Sequence, residues 1–393
     1  MTLFDDFERT DASPASHLED HFTFLNRVAT PYWQRVRALL EAWIHRLPDG
    51  DRADVVARMR SRDRRQFLGA FWETYLFVSF ERLGFGLTTH PEVPGSDRRP
   101  DFRIETDQGP AYVEATVASS ANDELARDRR RGQIYDTINQ LTSRDFWLSL
   151  DLLSEGDDAP SIRPRLAAIQ KWLDSLDADD ASHLLAAGRF DDLPTCLIDD
   201  RGWSIRITAL PRGAESRDQE VGRPIGFYPT EGGFFDSRGP ILAALRKKAG
   251  RYGKLDAPYV IAAMQDTMVS GEDDVFHALF GSLRITVPLD NPEAARTALG
   301  ADGFWRGPTG AQNTGVAAVL FAQNLYGWNI NTRTPDLWHN PWAHTPLGDL
   351  LPWRTHSIGT DGVVETREPL LEPHQLFELP EEWPGPEGPF DLS

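Results

Sequence analysis

Three acidic side chains between Phe71 and Ser119 are the first candidates for chemistry in this sequence. Glu73 lies in an aromatic, helix-like segment, Asp101 opens a segment of strand-like alternation, and Glu114 lies in the middle of the next such segment. An unpaired carboxylate is costly to bury, so one placed among aromatic residues reaches solvent, finds a charged partner or binds a cation. Because hard divalent cations prefer carboxylate oxygens, the three residues are candidate metal ligands.

The elements that would position these acids follow from the hydrophobic spacing. The helix that carries Glu73 is almost entirely apolar, and Gly84 is placed to cap its C-terminal end. Residues 101–106 alternate between apolar and charged side chains, which predicts a strand. A turn then leads to a second alternating segment. The sequence therefore predicts a hairpin with Asp101 near the start of one strand and Glu114 in the middle of the other.

A helix with Glu, a strand opened by Pro-Asp and a following strand with Glu-x-Thr resemble the PD-(D/E)xK nuclease superfamily. The resemblance covers about 65–119, together with a later helix and strand. It implies an α/β protein with a restriction-endonuclease-like core, in which a mixed central sheet is flanked by helices. It also implies that Asp101 and Glu114 hold Mg²⁺ or Mn²⁺, assisted by Glu73 and the Ala115 carbonyl. Such an ion can polarise a phosphodiester and activate a water for in-line attack.

The lysine of the superfamily motif is replaced here, because Thr116 stands two residues after Glu114. A hydroxyl cannot supply the positive charge that stabilises an attacked phosphate. The chain has 41 Lys and Arg residues but only four lysines, and three of these fall within 247–254. In some members of the superfamily the lysine has moved to the helix after the hairpin. The resemblance therefore implies that Lys248 is catalytic, with Lys247 as the second choice.

Each of these features also has a simpler interpretation. Glu73 could pair with a neighbouring arginine, and the lysines could form a solvated helix face. The chain could also be a nuclease fold that has lost catalysis and acts as a nucleic-acid-binding or assembly subunit. A metal-free glycosidic hydrolase would need two carboxylates across a cleft, for which the sequence gives no evidence. The preferred hypothesis is a Mg²⁺-dependent endonuclease whose substrate is DNA, with RNA as the second choice, and which acts in restriction, repair or defence.

Composition limits the remaining possibilities. A chain of 393 residues that is 40% hydrophobic can bury a substantial core. Its 60 acidic and 41 basic residues give a net charge of −19, which argues against non-specific coating of nucleic acid but permits a local basic patch. One cysteine excludes an intrachain disulfide. With no signal-peptide pattern and no long apolar run, we expect a cytoplasmic bacterial protein without a membrane partner, whereas a protein partner or a homo-oligomer stays open.

Four regions are predicted along the chain. Helices dominate 1–62, and a nuclease-like core spans 63–290 with a large insertion at about 121–235. A C-terminal extension of the core spans 291–364. The last region, 365–393, is rich in Pro and Glu, and we expect it to be extended along the surface or partly disordered.

The second half of the chain supplies the remaining predicted core elements. The lysine helix is predicted over 239–253, followed by a strand over 259–263. The continuous apolar run at 315–323 predicts a fully buried strand. These elements would complete the sheet that the hairpin begins.

Two histidines near the C-terminal end are weaker candidates. His339 and His344 could be metal ligands or acid–base groups, but Asn340 and Pro341 lie between them. The turn-forming residues favour a turn that docks Trp338 and Trp342 on the body of the protein.

Overall fold

The computed structural model of the chain describes residues 1–119, 122–217, 223–228, 237–267, 272–286, 296–348, 351–358 and 363–390. These residues form a mixed α/β protein with an eight-stranded and a four-stranded sheet, each containing parallel and antiparallel pairs. Two further pairs of short strands lie outside these sheets.

The described ranges contain ten α-helices. They are α1 (His21–Arg27), α2 (Pro31–Arg46), α3 (Asp49–Met59), α4 (Arg64–Arg82), α5 (Asn122–Ile138), α6 (Leu166–Asp174), α7 (Ala178–Ala186), α8 (Arg238–Ala249), α9 (Glu272–Phe280) and α10 (Pro373–Phe377).

The strands begin after the four N-terminal helices. They are β1 (Gly86–Thr89), β2 (Phe102–Thr106), β3 (Gly109–Ala118), β4 (Phe146–Ser154), β5 (Thr195–Asp200), β6 (Trp203–Pro211), β7 (Ile225–Phe227), β8 (Tyr259–Gln265), β9 (Leu283–Thr286), β10 (Arg296–Leu299), β11 (Arg306–Gly307), β12 (Gly310–Ala311), β13 (Ala318–Gln323), β14 (Asp336–His339), β15 (Arg354–Ile358) and β16 (Val364–Arg367).

The chain divides into two compact units. The first unit comprises Met1–Pro14, Asp20–Ser119 and Asp236–Ser393, and the second comprises Ala15–Glu19 and Ser120–Phe235. The eight-stranded sheet belongs to the first unit and the four-stranded sheet to the second. The domain boundaries inferred from composition stay a prediction.

The sheet of the first unit has the strand order β1-β2-β3-β8-β13-β14-β15-β16. Strand β3 pairs antiparallel with β2 and parallel with β8, and β8 pairs parallel with β13. The almost fully buried β13 confirms the prediction of a buried strand at 315–323, and the side chains of β8 are buried as well, because strands covered on both faces need no polar side.

Helices cover both faces of this sheet near β3. Helix α8 packs on the face that carries Tyr112 and Ile261. Helix α4 packs on the other face, where the Phe80 ring lies 5.9 Å from the Phe102 ring. Successive side chains of a strand point to opposite faces, so one set of β3 side chains faces α8 and the other faces α4. Residues of the two helices therefore approach the hairpin from opposite sides.

The segments predicted around the acids take their expected forms. The helix with Glu73 lies within α4, and Gly84, with a φ of 75°, adopts the left-handed conformation of a C-terminal cap. Strands β2 and β3 form the predicted hairpin, in which Phe102 pairs with Val113. The lysine helix α8 ends at Ala249, earlier than predicted. The sequence therefore located each element correctly but not each boundary.

The second unit has a four-stranded sheet in the order β5-β6-β4-β7. One face of this sheet packs on α5, α6 and α7, with Ile134, Ile169 and Trp203 in the buried cluster. Alternation along β6, from buried Trp203 to buried Ala209, leaves the other side chains toward solvent.

The prediction for the C-terminal tail was wrong for part of its length. Residues 363–390 include β16, which pairs with β15, and the short helix α10. Phe377 of this helix is 2% exposed, and its ring lies 5.0 Å from Trp43 and 5.3 Å from Tyr75. One apolar turn therefore docks a segment whose composition is otherwise typical of disorder.

The prediction of a turn around His339 was wrong for its first part, because Trp338 and His339 end strand β14 and the turn follows at Pro341 and Trp342. Only one of the two tryptophans is docked. Trp338 is 5% exposed and stacks on His356 at 4.0 Å, whereas Trp342 is 39% exposed. Asn340 is buried, donates to the Val316 carbonyl at 2.8 Å and accepts from the Trp342 amide at 2.9 Å. These contacts give Asn340 a structural role.

Within the described ranges, none of the helices combines the length and the apolar character needed to span a membrane.

Candidate active site

The sheet places Asp101, immediately before β2, beside Glu114 of β3. Phe102 is the first residue of β2 and pairs with Val113, so Asp101 and Glu114 are the next residues along this pair of strands. On its other side, Glu114 pairs in register with Ile261 of β8. Glu114 therefore points to the face that α8 covers.

Asp101 is fixed by the backbone of β3. Its Oδ2 accepts a hydrogen bond from the Ala115 amide at 2.7 Å. Burial, followed by the negative charges of Glu114 and Glu73, raises the pKa of Asp101 to about 7, against the opposing effects of the Ala115 hydrogen bond and the Lys248 charge. Burial and the two acidic neighbours therefore disfavour the ionised form of Asp101.

Glu114 is almost completely buried, with 2% of its surface exposed. Lys248 Nζ donates to Glu114 Oε1, and the Tyr252 hydroxyl donates to Oε2. Arg251 Nη1 lies 3.8 Å from Oε1. A buried carboxylate is tolerated when it is paired and hydrogen-bonded in this way.

Lys248 reaches Glu114 from α8, as the migrated-lysine hypothesis requires. Its side chain is 14% exposed, and its backbone carbonyl accepts from the Tyr259 hydroxyl at 3.2 Å. Lys247 and Lys254 are exposed instead. Because neighbouring residues on a helix point in different directions, only Lys248 of the adjacent pair faces the sheet.

Glu73 approaches from α4 but is held by an arginine. Arg58 Nη1 donates to Glu73 Oε1 at 2.8 Å, and Nη2 donates to Oε2. Arg58 also donates from Nε to Asp54 at 2.8 Å. Glu73 is therefore paired with an arginine, as the simpler interpretation of this residue predicts. Its negative charge still raises the pKa of Asp101.

The donor set suits a hard divalent cation. Asp101 and Glu114 supply carboxylate oxygens, and the Ala115 carbonyl points to the side of β3 on which its amide meets Asp101. No group of three or more His, Cys, Asp or Glu side chains within the described ranges is arranged to hold a metal ion. With Glu73 paired to Arg58, the residues that would hold a cation are Asp101, Glu114 and Ala115.

The structure adds two residues that the sequence interpretation missed. Tyr252 and Arg251 follow α8 directly and both approach Glu114. The Tyr252 hydroxyl oxygen also lies 3.1 Å from the Arg99 carbonyl oxygen. Its spacing four residues after Lys248 was a signal that could have indicated a shared face.

A second buried carboxylate lies just beyond β8. The side chain of Asp266 is 8% exposed and accepts hydrogen bonds from Arg64 and from the Tyr326 hydroxyl. His21 lies nearby, with its ring 5.7 Å from Tyr326. Burial, helped by the Arg64 charge, lowers the pKa of His21 to about 4, so this histidine is neutral at pH 7.

No protein-family model matches the chain, and neither a curated protein nor a solved structure matches it. The resemblance to PD-(D/E)xK nucleases therefore rests on the local motif and on the geometry of the site.

Proposed function

We propose that this protein is a metal-dependent nuclease with a restriction-endonuclease-like core, and that its substrate is DNA. The observation that carries this proposal is the contact between Lys248 of α8 and buried Glu114 of β3. It supports the view that the lysine missing at Thr116 is supplied by another element. Asp101, beside Glu114 and short of positive charge, supports a cation site at the same place.

The arrangement of elements also supports this proposal. Helix α4 precedes the antiparallel β1-β2-β3 meander, and α8 leads into β8, which joins β3 in parallel. This is the order that the resemblance implies for the nuclease core. Asp101 just before β2, Glu114 on β3 and Lys248 on α8 are consistent with this proposal.

The proposed reaction is hydrolysis of a phosphodiester. The oxygen of a water forms a bond to phosphorus while the bond to the leaving oxygen breaks, and the water loses a proton as the leaving oxygen gains one from solvent. A bound divalent cation would polarise the phosphate and lower the pKa of the water. Asp101 and Glu114 would hold that cation, while Lys248 orients Glu114 and adds positive charge to the site.

A nuclease fold without catalysis, acting as a binding or assembly subunit, is the second candidate. The observation that favours it is the pairing of Glu73 with Arg58, which withdraws one of the three expected acids from the site. This candidate keeps the fold and the nucleic-acid partner but predicts no cleavage.

Cleavage assays separate the two candidates. Supercoiled plasmid, single-stranded DNA and RNA are incubated with the wild type and with Glu114→Gln in Mg²⁺ and in Mn²⁺, and Lys254→Met serves as a control for loss of an exposed lysine. We expect DNA to be cut by the wild type and by Lys254→Met but not by Glu114→Gln. Equal cutting by all three proteins would contradict the assigned site, and no cutting by the wild type despite metal binding would favour the second candidate.

A further inference from the structure

The candidate site has a second cationic side chain besides Lys248. Hydrolysis would build negative charge on the phosphate, and positive groups aimed at that charge stabilise the transition state. The Lys248 ammonium already donates to Glu114, and its side chain is only 14% exposed. A second cationic side chain that is more exposed to solvent would therefore add to the positive charge that meets the substrate.

Arg251 lies between Glu114 and solvent. It follows the end of α8, and its amide donates to the Lys248 carbonyl at 3.2 Å. Its Nη1 is 3.8 Å from Glu114 Oε1, while 35% of its side chain is exposed. The guanidinium therefore reaches the acids at one end and solvent at the other.

The neighbouring residue fixes the position of Arg251. Tyr252 is 5% exposed, and its hydroxyl donates to Glu114 and lies 3.1 Å from the Arg99 carbonyl oxygen. The Arg251 guanidinium carbon lies 6.0 Å from the centre of the Tyr252 ring, at the outer limit of a cation–π contact. Because Tyr252 is held in place, the backbone of the neighbouring Arg251 is held as well, and this limits the positions that the Arg251 side chain can reach.

The donors of Arg251 are largely unused among the described residues. Its Nε is buried there without a hydrogen-bond partner, and the 3.8 Å separation from Glu114 is longer than a hydrogen bond. Buried donors are normally satisfied, and a guanidinium carries five N–H groups in a planar array. A ligand with several acceptor oxygens would satisfy this side chain.

We propose that Arg251 binds the scissile phosphate of the nucleic acid, with its guanidinium donating to the non-bridging oxygens. This inference rests on the proposed nuclease function and names the group that contacts its substrate. Planar, bidentate recognition of phosphate is the task for which arginine is better suited than lysine. Arg251 transfers no proton in the reaction and contributes binding and charge only.

The test compares Arg251→Ala and Arg251→Lys with Arg246→Ala, an exposed arginine of α8 outside the site. Binding of a fluorescent DNA duplex is measured by anisotropy in Glu114→Gln proteins that cannot cut, with and without Arg251→Ala. We expect Arg251→Ala to weaken DNA binding by roughly tenfold or more, the loss typical of a charged hydrogen bond. Arg246→Ala should stay within about twofold, because nothing places it at the phosphate.

Cleavage by the single variants supplies the second readout. Arg251→Ala should lower kcat by roughly 100-fold, and Arg251→Lys should recover part of that loss. Stabilisation by Mn²⁺ without DNA should be retained, because Arg251 is assigned to the phosphate and not to the metal. Cutting and binding at wild-type levels would overturn the inference, as would loss of the Mn²⁺ effect.

The two proposals can fail separately. If the wild type binds DNA but does not cut it, the nuclease function fails while weaker binding by Arg251→Ala still supports the phosphate contact. If Arg251→Ala leaves DNA binding unchanged in the non-cutting background, the phosphate contact is overturned whether or not the wild type cuts. Absence of DNA binding by the wild type overturns both.

Discussion

Two buried carboxylates of the first unit are held in the same way but differ in their surroundings. Each accepts a hydrogen bond from a tyrosine hydroxyl and pairs with a cationic side chain. The two sets are Glu114 with Lys248 and Tyr252, and Asp266 with Arg64 and Tyr326. The acid is mostly buried in both, with side-chain exposures of 2% for Glu114 and 8% for Asp266.

The difference is a second acid. Asp101 lies beside Glu114 and has no ion-pair partner among the described residues, and burial and its acidic neighbours raise its pKa. The titratable neighbour of Asp266 is His21, which burial and the Arg64 charge keep neutral. The Asp266 set is therefore balanced in charge, whereas the Glu114 set would gain from an added cation. A tyrosine hydroxyl and a cationic side chain therefore stabilise the structure at Asp266, whereas the same kinds of contact at Glu114 would orient a metal ligand.

Replacing the cationic side chain of each set, Lys248 or Arg64, should give the largest difference in the rate of DNA cleavage. Lys248→Met should lower the rate of DNA cleavage by roughly 100- to 1000-fold, because it removes charge at the reacting phosphate and frees Glu114. Arg64→Met should leave the rate nearly unchanged, since Arg64 pairs with Asp266 and lies outside the Glu114 set. The measurement is plasmid cleavage under single-turnover conditions, after circular dichroism has shown that both variants are folded. Equal losses in the two variants would remove the distinction.

Replacing the two acids should separate metal binding from stability. The melting temperature of the wild type should rise in Mn²⁺, corresponding to about 2.7 kcal/mol at a concentration 100 times the Kd. Asp101→Asn should abolish this rise, because it removes one of the expected ligands. Asp266→Asn should melt at a lower temperature but keep the Mn²⁺ effect. A rise that persists in Asp101→Asn would mean that the metal binds elsewhere.

The two regions should also respond to pH in opposite directions. The folded-state pKa of Asp101 is raised from 3.8 to about 7, so the folded protein binds more protons than the unfolded chain between these values, and stability falls as pH rises through them. The pKa of His21 is lowered from 6.5 to about 4, so stability falls as pH drops through that window.

Urea unfolding at several pH values, with a chelator present, measures how the free energy of unfolding changes with pH in each window. Asp101→Asn should gain roughly 1–3 kcal/mol relative to the wild type at pH 8 and nothing at pH 4, because Asn keeps the Ala115 contact but cannot ionise. His21→Gln should flatten the loss of stability between pH 6.5 and pH 4 by a similar amount. Parallel pH profiles for all three proteins would show that neither group titrates as its surroundings indicate.

The sequence sufficed for the parts of this comparison that depend on local spacing. The hairpin of Asp101 and Glu114 follows from period-2 alternation, and Lys248 stands out because lysine is rare in the chain. The partners of Glu73 and Glu114 depend instead on where α3 and the end of α8 pack, which spacing alone does not determine. Tyr252 was missed for this reason.

The Asp266 set illustrates the same limit more clearly. Its members come from the start of α4, the end of β8 and the segment after β13, and Arg64 and Asp266 are separated by 202 positions in the chain. No short-range pattern links residues that only the pairing of β8 with β13 brings together. In contrast, the tail was mispredicted because its average composition concealed one apolar turn, which ends in Phe377.

Replacing the tyrosine of each set, Tyr252 or Tyr326, should give the smallest difference between the two sets. Tyr252→Phe and Tyr326→Phe each remove a hydroxyl that donates to a carboxylate, and each should cost about 1–2 kcal/mol in the free energy of unfolding, measured in urea. Only Tyr252→Phe should weaken Mn²⁺ binding, by roughly tenfold, because a hydrogen bond to a ligating carboxylate orients it.

Titration calorimetry with Mn²⁺ decides this last point, with Tyr326→Phe as the matched control for loss of a phenol. If the two variants bind Mn²⁺ equally well, Glu114 does not need Tyr252 to face the metal, and the resemblance between the two carboxylate sets is purely structural. If only Tyr252→Phe is weakened, the hydroxyl next to Arg251 orients a metal ligand, and the turn after α8 belongs to the site as fully as the strands do.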